Sequence, residues 1–299
     1  MKLPIIVMLL SCCLGLAPAR AEIAEPSVPG ADGVRLHVLQ AGPTDATASI
    51  LFIPGHLISA TIWSQQLDYF AARGYRVVTI DPRSQGGSSQ AQDNAPSDRG
   101  RDIQAVIQDL KLTHLTLVGW SQGVQDVAAY VGQYGTAALQ RIVLVDSSVS
   151  SGPDAVRQEP AFVEAELQGI ALYSRHPQDY CDGMLHAIIS APASAETFRR
   201  LDEECARTPP DVSISMLVQD LFTTDLRPAL KRFDKPTLVI ASARSLELDA
   251  QKQMAAALPQ GQFAAIQHAA HAVFFDQPVE FDRLLGDFIQ GRPVTAHDR

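Results

Sequence analysis

The sequence predicts an α/β protein: a mostly parallel, twisted sheet flanked by helices, interrupted by a helical cap insertion. Three observations carry that expectation. Short β-branched or aliphatic runs alternate with helical patterns from residue 34 to residue 145, the rhythm of successive strand–helix units. Between 147 and 226 helical patterns follow one another with no strand between, punctuated by Pro160, Pro177, Pro192 and Pro209-Pro210. The alternation then resumes and runs to residue 289.

Taken in order, 34–39 reads as an early strand and 49–53 as a buried one ending at Pro54-Gly55. Residues 61–73 are amphipathic, with Ile62, Leu67, Phe70 and Ala71 at helical spacing, and Gly74 stops the helix. The next strand is 75–80, followed by a loop rich in Gly, Ser and Gln. A helix over 102–110, a strand over 115–118, a helix over 122–134 and a strand over 142–145 complete the first half. In the second half, strands at 237–240 and 262–266 bracket a helix at 250–258, and a helix over 279–289 closes the chain. Residues 22–146 and 227–290 are therefore expected to form the core. The segment 147–226 should lie as a cap over the C-terminal edge of the sheet, with 291–299 as a frayed tail.

Composition narrows the classes. Of the 299 residues 46% are hydrophobic, enough for one large core, and the net charge is −9. No lysine- or arginine-rich run is present, so no nucleic-acid partner is expected. The N-terminus has the pattern of an export signal: Lys2, an apolar stretch over 3–16, then Ala19-Arg20-Ala21 as a small-x-small cleavage site. The apolar run is short for a membrane span, so no stable membrane insertion is expected after cleavage. Loss of Lys2 and Arg20 with residues 1–21 takes the charge from −9 to −11. Leu9-Leu10-Ser11-Cys12 only faintly resembles a lipoprotein site; a periplasmic or secreted protein is expected ahead of a lipid-anchored one. Removal of Cys12 and Cys13 leaves Cys181 and Cys205 as an even pair, and export favours a disulfide between them over two buried thiols. Nothing in the sequence speaks to oligomeric state.

The chemistry is concentrated at Gly119-Trp120-Ser121-Gln122-Gly123, which follows an apolar strand and precedes a helix. A nucleophile elbow needs that setting, because the strained turn lifts the serine hydroxyl to the sheet edge beside a helix N-terminus. A serine hydroxyl is a poor nucleophile until a base takes its proton, and imidazole titrates in the useful range. His271 lies in a loop between a late strand and the final helix and is the expected base. His268, three residues earlier, is the competitor. The oxyanion needs two backbone N–H donors; the amide of Gln122 is one, and the loop at Gly55-His56 is the expected source of the other.

With these motifs in order, the chain resembles the α/β-hydrolase fold superfamily over almost all of its mature length. Leu51-Phe52-Ile53-Pro54-Gly55-His56 is similar to the oxyanion loop, and Asp81-Pro82-Arg83-Ser84-Gln85-Gly86-Gly87-Ser88 to the loop after the fourth strand. Residues 267–278, holding His271, are similar to the histidine loop. The resemblance implies the His56 amide as second oxyanion donor and makes His268 a bystander; the His56 side chain is expected at the rim with no catalytic task, ahead of a contact with substrate. It also implies an acidic residue shortly after the strand at 237–240, yet Ala241-Ser242-Ala243-Arg244-Ser245 holds none. Two alternatives remain: Asp146, at a strand end from which some members such as haloalkane dehalogenases supply their acid, and Glu247, two residues past the usual place. Asp146 is taken first. Asp225 is expected to pin the end of the insertion.

The expected activity is that of a serine esterase, cleaving small to medium carboxylic esters through an acyl-enzyme on Ser121. Hydrolysis of lactone, amide or thioester bonds is the alternative, and a catalytically weak ligand-binding protein on the same fold is the reading from another class. A serine at 121 argues against dehalogenase or epoxide-hydrolase chemistry, which in this superfamily uses an aspartate. No H-E-x-x-H, G-x-x-x-x-G-K-[ST], G-x-G-x-x-G or EF-hand pattern occurs, so no metal or organic cofactor is expected. Trp120 and Met184 are the leading candidates for the substrate pocket. Phe162, Leu172, Tyr173, Leu185 and Met216 are further ones, although their helical spacing also suits an internal cap core.

Overall fold

The computed structural model of the chain describes residues 22–158 and 160–294. The expected export segment 1–21 lies outside these, as do residues 295–299 of the expected tail. The strands are β1 (Ser27–Pro29), β2 (Arg35–Ala41), β3 (Ser49–Ile53), β4 (Arg76–Ile80), β5 (Leu115–Trp120), β6 (Leu139–Val145), β7 (Thr237–Ser242) and β8 (Gly261–Ile266). They form one eight-stranded sheet in the order β1-β2-β4-β3-β5-β6-β7-β8. The β1–β2 and β2–β4 pairs are antiparallel and every other pair is parallel. β1 is an element that the sequence pattern does not reveal. It is three residues long and contains Pro29, which has no N–H to donate and is tolerated only at such an edge.

The strands are apolar because the sheet is covered on both sides. Leu51 and Ile53 of β3 point into one core layer, Ile50 and Phe52 into the other, the two-residue period of a strand. Helices α2 (Pro96–Asp109) and α3 (Gln122–Tyr134) fill the first layer with Ile103, Val106, Val124 and Val127. Helix α1 (Ser64–Ala71) and the last helix, Pro278–Ile289, fill the second with Leu67, Phe70, Phe281 and Leu285. The expected helix at 61–73 is split: a 3-10 turn, Ala60–Trp63, leads into α1. α2 starts at Pro96 rather than 102, since proline in the first turn loses no helical hydrogen bond.

Between β6 and β7 the chain is helical: α4 (Ala155–Gln158), α5 (Pro160–Tyr173), α6 (Pro177–Ile188), α7 (Ala195–Cys205) and α8 (Pro210–Val218), which runs into a π-helical turn, Gln219–Thr223. Cys181 of α6 and Cys205 of α7 are bonded and buried. The segment leaves and re-enters the core at one place, because Leu226 N donates to Ser150 O at 3.0 Å and Ser151 bridges Asp225. Asp225 also accepts from the Arg227 guanidinium. Helix α9 (Leu248–Ala257) follows β7, and the short α10 (Val273–Asp276) precedes the last helix, α11.

Candidate active site

Parallel strands place their C-terminal ends side by side, and the loops leaving those ends make the site. Trp120 of β5 pairs with Val145 of β6, and Val145 pairs with Ile240 of β7. The residues just beyond, Ser121 and Asp146, therefore emerge at the same level. Ser121 adopts φ 55° and ψ −120°, a strained conformation for a residue with a Cβ. The flanking glycines make it possible: a Cβ on Gly119 would stand 2.3 Å from Gly123 O, and one on Gly123 would stand 2.5 Å from Ile53 O.

His271 is carried by the turn after β8. Its Nδ1 is 2.8 Å from Asp146 Oδ2. The other carboxylate oxygen, Oδ1, accepts from Ser242 N at 2.7 Å and Gln251 Nε2 at 3.3 Å. Asp146 is buried, its imidazole partner half-buried. β7 thus contributes a backbone N–H where the resemblance implied a carboxylate, and the carboxylate that meets His271 stands one strand away. Glu247 is engaged elsewhere: it accepts from Ser148 Oγ at 2.7 Å and from Ser147 Oγ at 3.4 Å. His268 is exposed, and its carbonyl accepts from Gln277 Nε2.

Trp120 adjoins the cavity, but its ring is buried, edge-on to Trp63 and Phe274. Its Nε1 donates to His271 O at 3.0 Å, so it fixes the backbone of the histidine turn.

Gln122 opens α3, so its amide has no acceptor within the helix. The expected second donor, His56, follows Gly55 in a turn whose Leu57 N donates to Gln85 Oε1 at 2.5 Å. The His56 side chain is not at the rim, as the sequence reading had it. It is buried between Gln122 Nε2 at 3.2 Å and Ser213 Oγ at 2.9 Å. Burial, helped by the Arg99 charge, pushes its pKa down to about 3, so this ring is neutral.

Sequence reasoning missed a buried polar chain under this turn. Gln122 Nε2 also donates to Asp220 Oδ2 at 2.6 Å, and Gln85 Nε2 donates to Gln122 Oε1 at 3.0 Å. Arg99 of α2 donates to Asp220 Oδ1 at 2.6 Å and to Asp126 Oδ1 at 2.7 Å. Burial raises the Asp126 pKa to about 7 against the pull of Arg99, and raises that of Asp220 as well. Asp220 comes from the π-helical turn, so the chain ties the helical segment to both expected oxyanion amides. The sequence marks it poorly, because Arg99 shares its helix with Asp98, Arg101, Asp102 and Asp109.

Ser121, His271, Asp146, His56, Gln122 and Asp220 line a cavity of about 580 Å³. The helical segment supplies Phe162, Glu166, Tyr180, Met184 and Leu217 to its wall. Tyr173, Leu185 and Met216 are instead buried within that segment and its seam, and Leu172 faces solvent. Among the described residues no cluster of His, Cys, Asp and Glu is arranged to hold a metal, and no helix is long and apolar enough to cross a membrane.

Comparison with known proteins agrees with the fold. Residues 48–278 match the alpha/beta hydrolase fold family model. A bifunctional esterase/perhydrolase of Acinetobacter calcoaceticus is 29% identical over 225 residues, 70% of this chain and 78% of the relative. A non-heme chloroperoxidase of Kitasatospora aureofaciens is 27% identical over 240 residues, 75% of this chain and 85% of the relative. Among solved structures, an esterase from Exiguobacterium antarcticum superposes with a TM-score of 0.79 at 18% identity, over 89% of this chain and all of that one. The chain belongs to the α/β-hydrolase fold family.

Proposed function

We propose that the protein is a serine hydrolase of carboxylic esters, with Ser121 as nucleophile, His271 as general base and Asp146 as the acid. The observation that carries this reading is the His271 Nδ1–Asp146 hydrogen bond beside a strained serine in the same cavity. Because Nδ1 faces Asp146, Nε2 is the nitrogen left for the serine proton. Ser121 Oγ attacks the carbonyl carbon, and His271 takes its proton. The oxyanion is held by the amides of His56 and Gln122. His271 then protonates the departing alcohol, and water, deprotonated by the same imidazole, frees the acid and restores Ser121. The relative from Acinetobacter calcoaceticus favours a second fate, capture of the acyl group by hydrogen peroxide to release a peracid.

The test is hydrolysis of p-nitrophenyl esters from C2 to C12 by the chain beginning at Glu22 and by Ser121→Ala. Removal of the nucleophile should cut kcat by about 10⁴ or more. Turnover that survives in Ser121→Ala, or no turnover of any ester, rejects the reading and leaves lactones, amides, thioesters or simple binding. Peroxide that speeds loss of the acyl-enzyme and yields peracid identifies the second fate.

We further propose export with loss of residues 1–21, supported by the pattern of that segment and by the bonded Cys181 and Cys205. N-terminal sequencing of the protein from its own cells should begin at Glu22; a chain retaining Lys2 would exclude it.

A further inference from the structure

Four carboxylates border the cavity, and Arg244 is the only arginine or lysine among the described residues that line it. Three are accounted for: Asp146 bonds His271, Asp220 bonds Arg99 and Gln122, and Glu247 accepts serine hydroxyls. Glu166 is different. It sits on α5 with no hydrogen bond or ion pair to its carboxylate among the described residues, yet it is half-buried. An unpaired carboxylate withdrawn from water is costly unless something else neutralises it. Burial accordingly raises its pKa, and the His271 imidazole across the cavity works against that rise.

Its neighbours have a consistent chemistry. Phe162 lies one helical turn before Glu166, so both project from the same face of α5. Tyr180 of α6 leans on α5 at Gly169, where a Cβ would come within 3.2 Å of its ring, and the Glu166 charge is felt at its phenol. Both rings border the cavity, and Met184 continues the wall. Aromatic faces beside one negative charge attract an organic cation: the carboxylate supplies the opposite charge and the rings their negative faces.

We propose that this wall is a subsite for an ammonium group, so that the ester taken by the protein carries an alkylated amine on its acyl or its alcohol half. The proposal rests on the serine-esterase reading and specifies the substrate class of the same cavity. Glu166 acts as a specificity residue: it binds the substrate at a distance from the reacting carbonyl.

The test compares each charged ester with its neutral isostere. Butyrylcholine against 3,3-dimethylbutyl butyrate places the charge on the alcohol half. The p-nitrophenyl esters of 6-(trimethylammonio)hexanoic acid and 7,7-dimethyloctanoic acid place it on the acyl half. In at least one pair the cationic ester should have the higher kcat/KM by about tenfold, the scale of one charge contact reinforced by ring faces. In Glu166→Gln that ratio should fall to about one, and Glu166→Asp should recover part of it. A ratio near one in both pairs, or a preference that survives Glu166→Gln, overturns the proposal. Absence of turnover for all four esters counts instead against the esterase reading. The subsite is then decided by calorimetric binding of benzyltrimethylammonium, where equal affinity of the unmodified protein and Glu166→Gln overturns it.

Discussion

On the sheet side of the cavity, Ser121, Asp146 and Ser242 stand at the ends of strands whose last four residues are buried on both faces. On the opposite side, α4, α5 and α8 expose Val156, Leu167, Leu172 and Val218 to solvent. The segment that carries them is cross-linked within itself by the Cys181–Cys205 bond and closed at its base by Leu226 N on Ser150 O. It meets the core through the Asp220–Arg99 ion pair, Ser190 on Asp276, Ser213 on His56 and the buried Leu185, Ile189 and Leu201. The groups with candidate chemistry are thus held by a lattice of ladder hydrogen bonds and packed side chains, whereas those that would meet substrate ride on helices tied to the core locally. A proton-transfer geometry tolerates little displacement, and a pocket wall tolerates more.

The largest expected effect lies on the sheet side. Asp146→Asn keeps the shape but removes the charge that orients His271, and should lower kcat by about 10⁴ with little change in melting temperature. Glu247→Gln on the same ester should cost less than about tenfold, since Glu247 accepts from Ser147 and Ser148 while Asp146 holds His271 Nδ1. If the two losses were reversed, the acid would have to be reassigned. Next comes packing. Phe52→Ala hollows the layer where Phe52 stacks on Trp63 at 4.6 Å and should cost about 3–5 kcal/mol in urea unfolding. Leu172→Ala, already exposed to solvent, should cost under about 0.5 kcal/mol. Equal costs would erase the contrast between the two regions.

The joint between them gives a smaller effect. Asp220→Asn loosens the clamp on Gln122, and kcat should fall about tenfold while KM moves less, because the amide it steadies acts on the oxyanion. A rise in KM alone would place Asp220 in the wall only. The smallest effect is acid sensitivity. Unfolded His56 binds a proton below about pH 6.5, whereas in the folded chain it waits until about pH 3. Stability is therefore lost as pH falls through that window. Asp282 and Asp126, both raised by burial to about 7, oppose it, because the folded state then holds protons the unfolded state lacks. As pH falls from 6.5 to 4 the urea midpoint of His56→Asn should rise relative to that of the unmodified protein; parallel slopes would remove His56 from the account.

Most of the architecture was legible because its signals are local. The parallel strands declare themselves as apolar runs, and α3 follows from a strand, a glycine-flanked serine and a periodic helix. Ser121 and His271 could be named from the same order. What stayed open depended on partners distant in sequence. Asp146 and Glu247 could not be separated, since the distinction is which carboxylate reaches Nδ1, and that follows from the β5–β6–β7 register. His56 was misplaced at the rim because its cover, Ser213, lies 157 residues away. The link from Arg99 to Asp220 spans 121 residues and has no motif at all.

Placing the carboxylate after β6 has a consequence for how the protein can change. The end of β7 does not have to present a charge to the imidazole; Ser242 offers its amide to Asp146 and its hydroxyl to Ala269 O, and the turn beyond it carries no part of that contact. Arg244, Ser245 and Leu246 nevertheless border the cavity, and Leu246 is 92% exposed. Ser245 is held, because its hydroxyl accepts from the Gln251 amide that also donates to Asp146. No side-chain bond ties Arg244 or Leu246 among the described residues, so a library randomised at 244 and 246 should diverge in substrate choice far more often than it loses turnover.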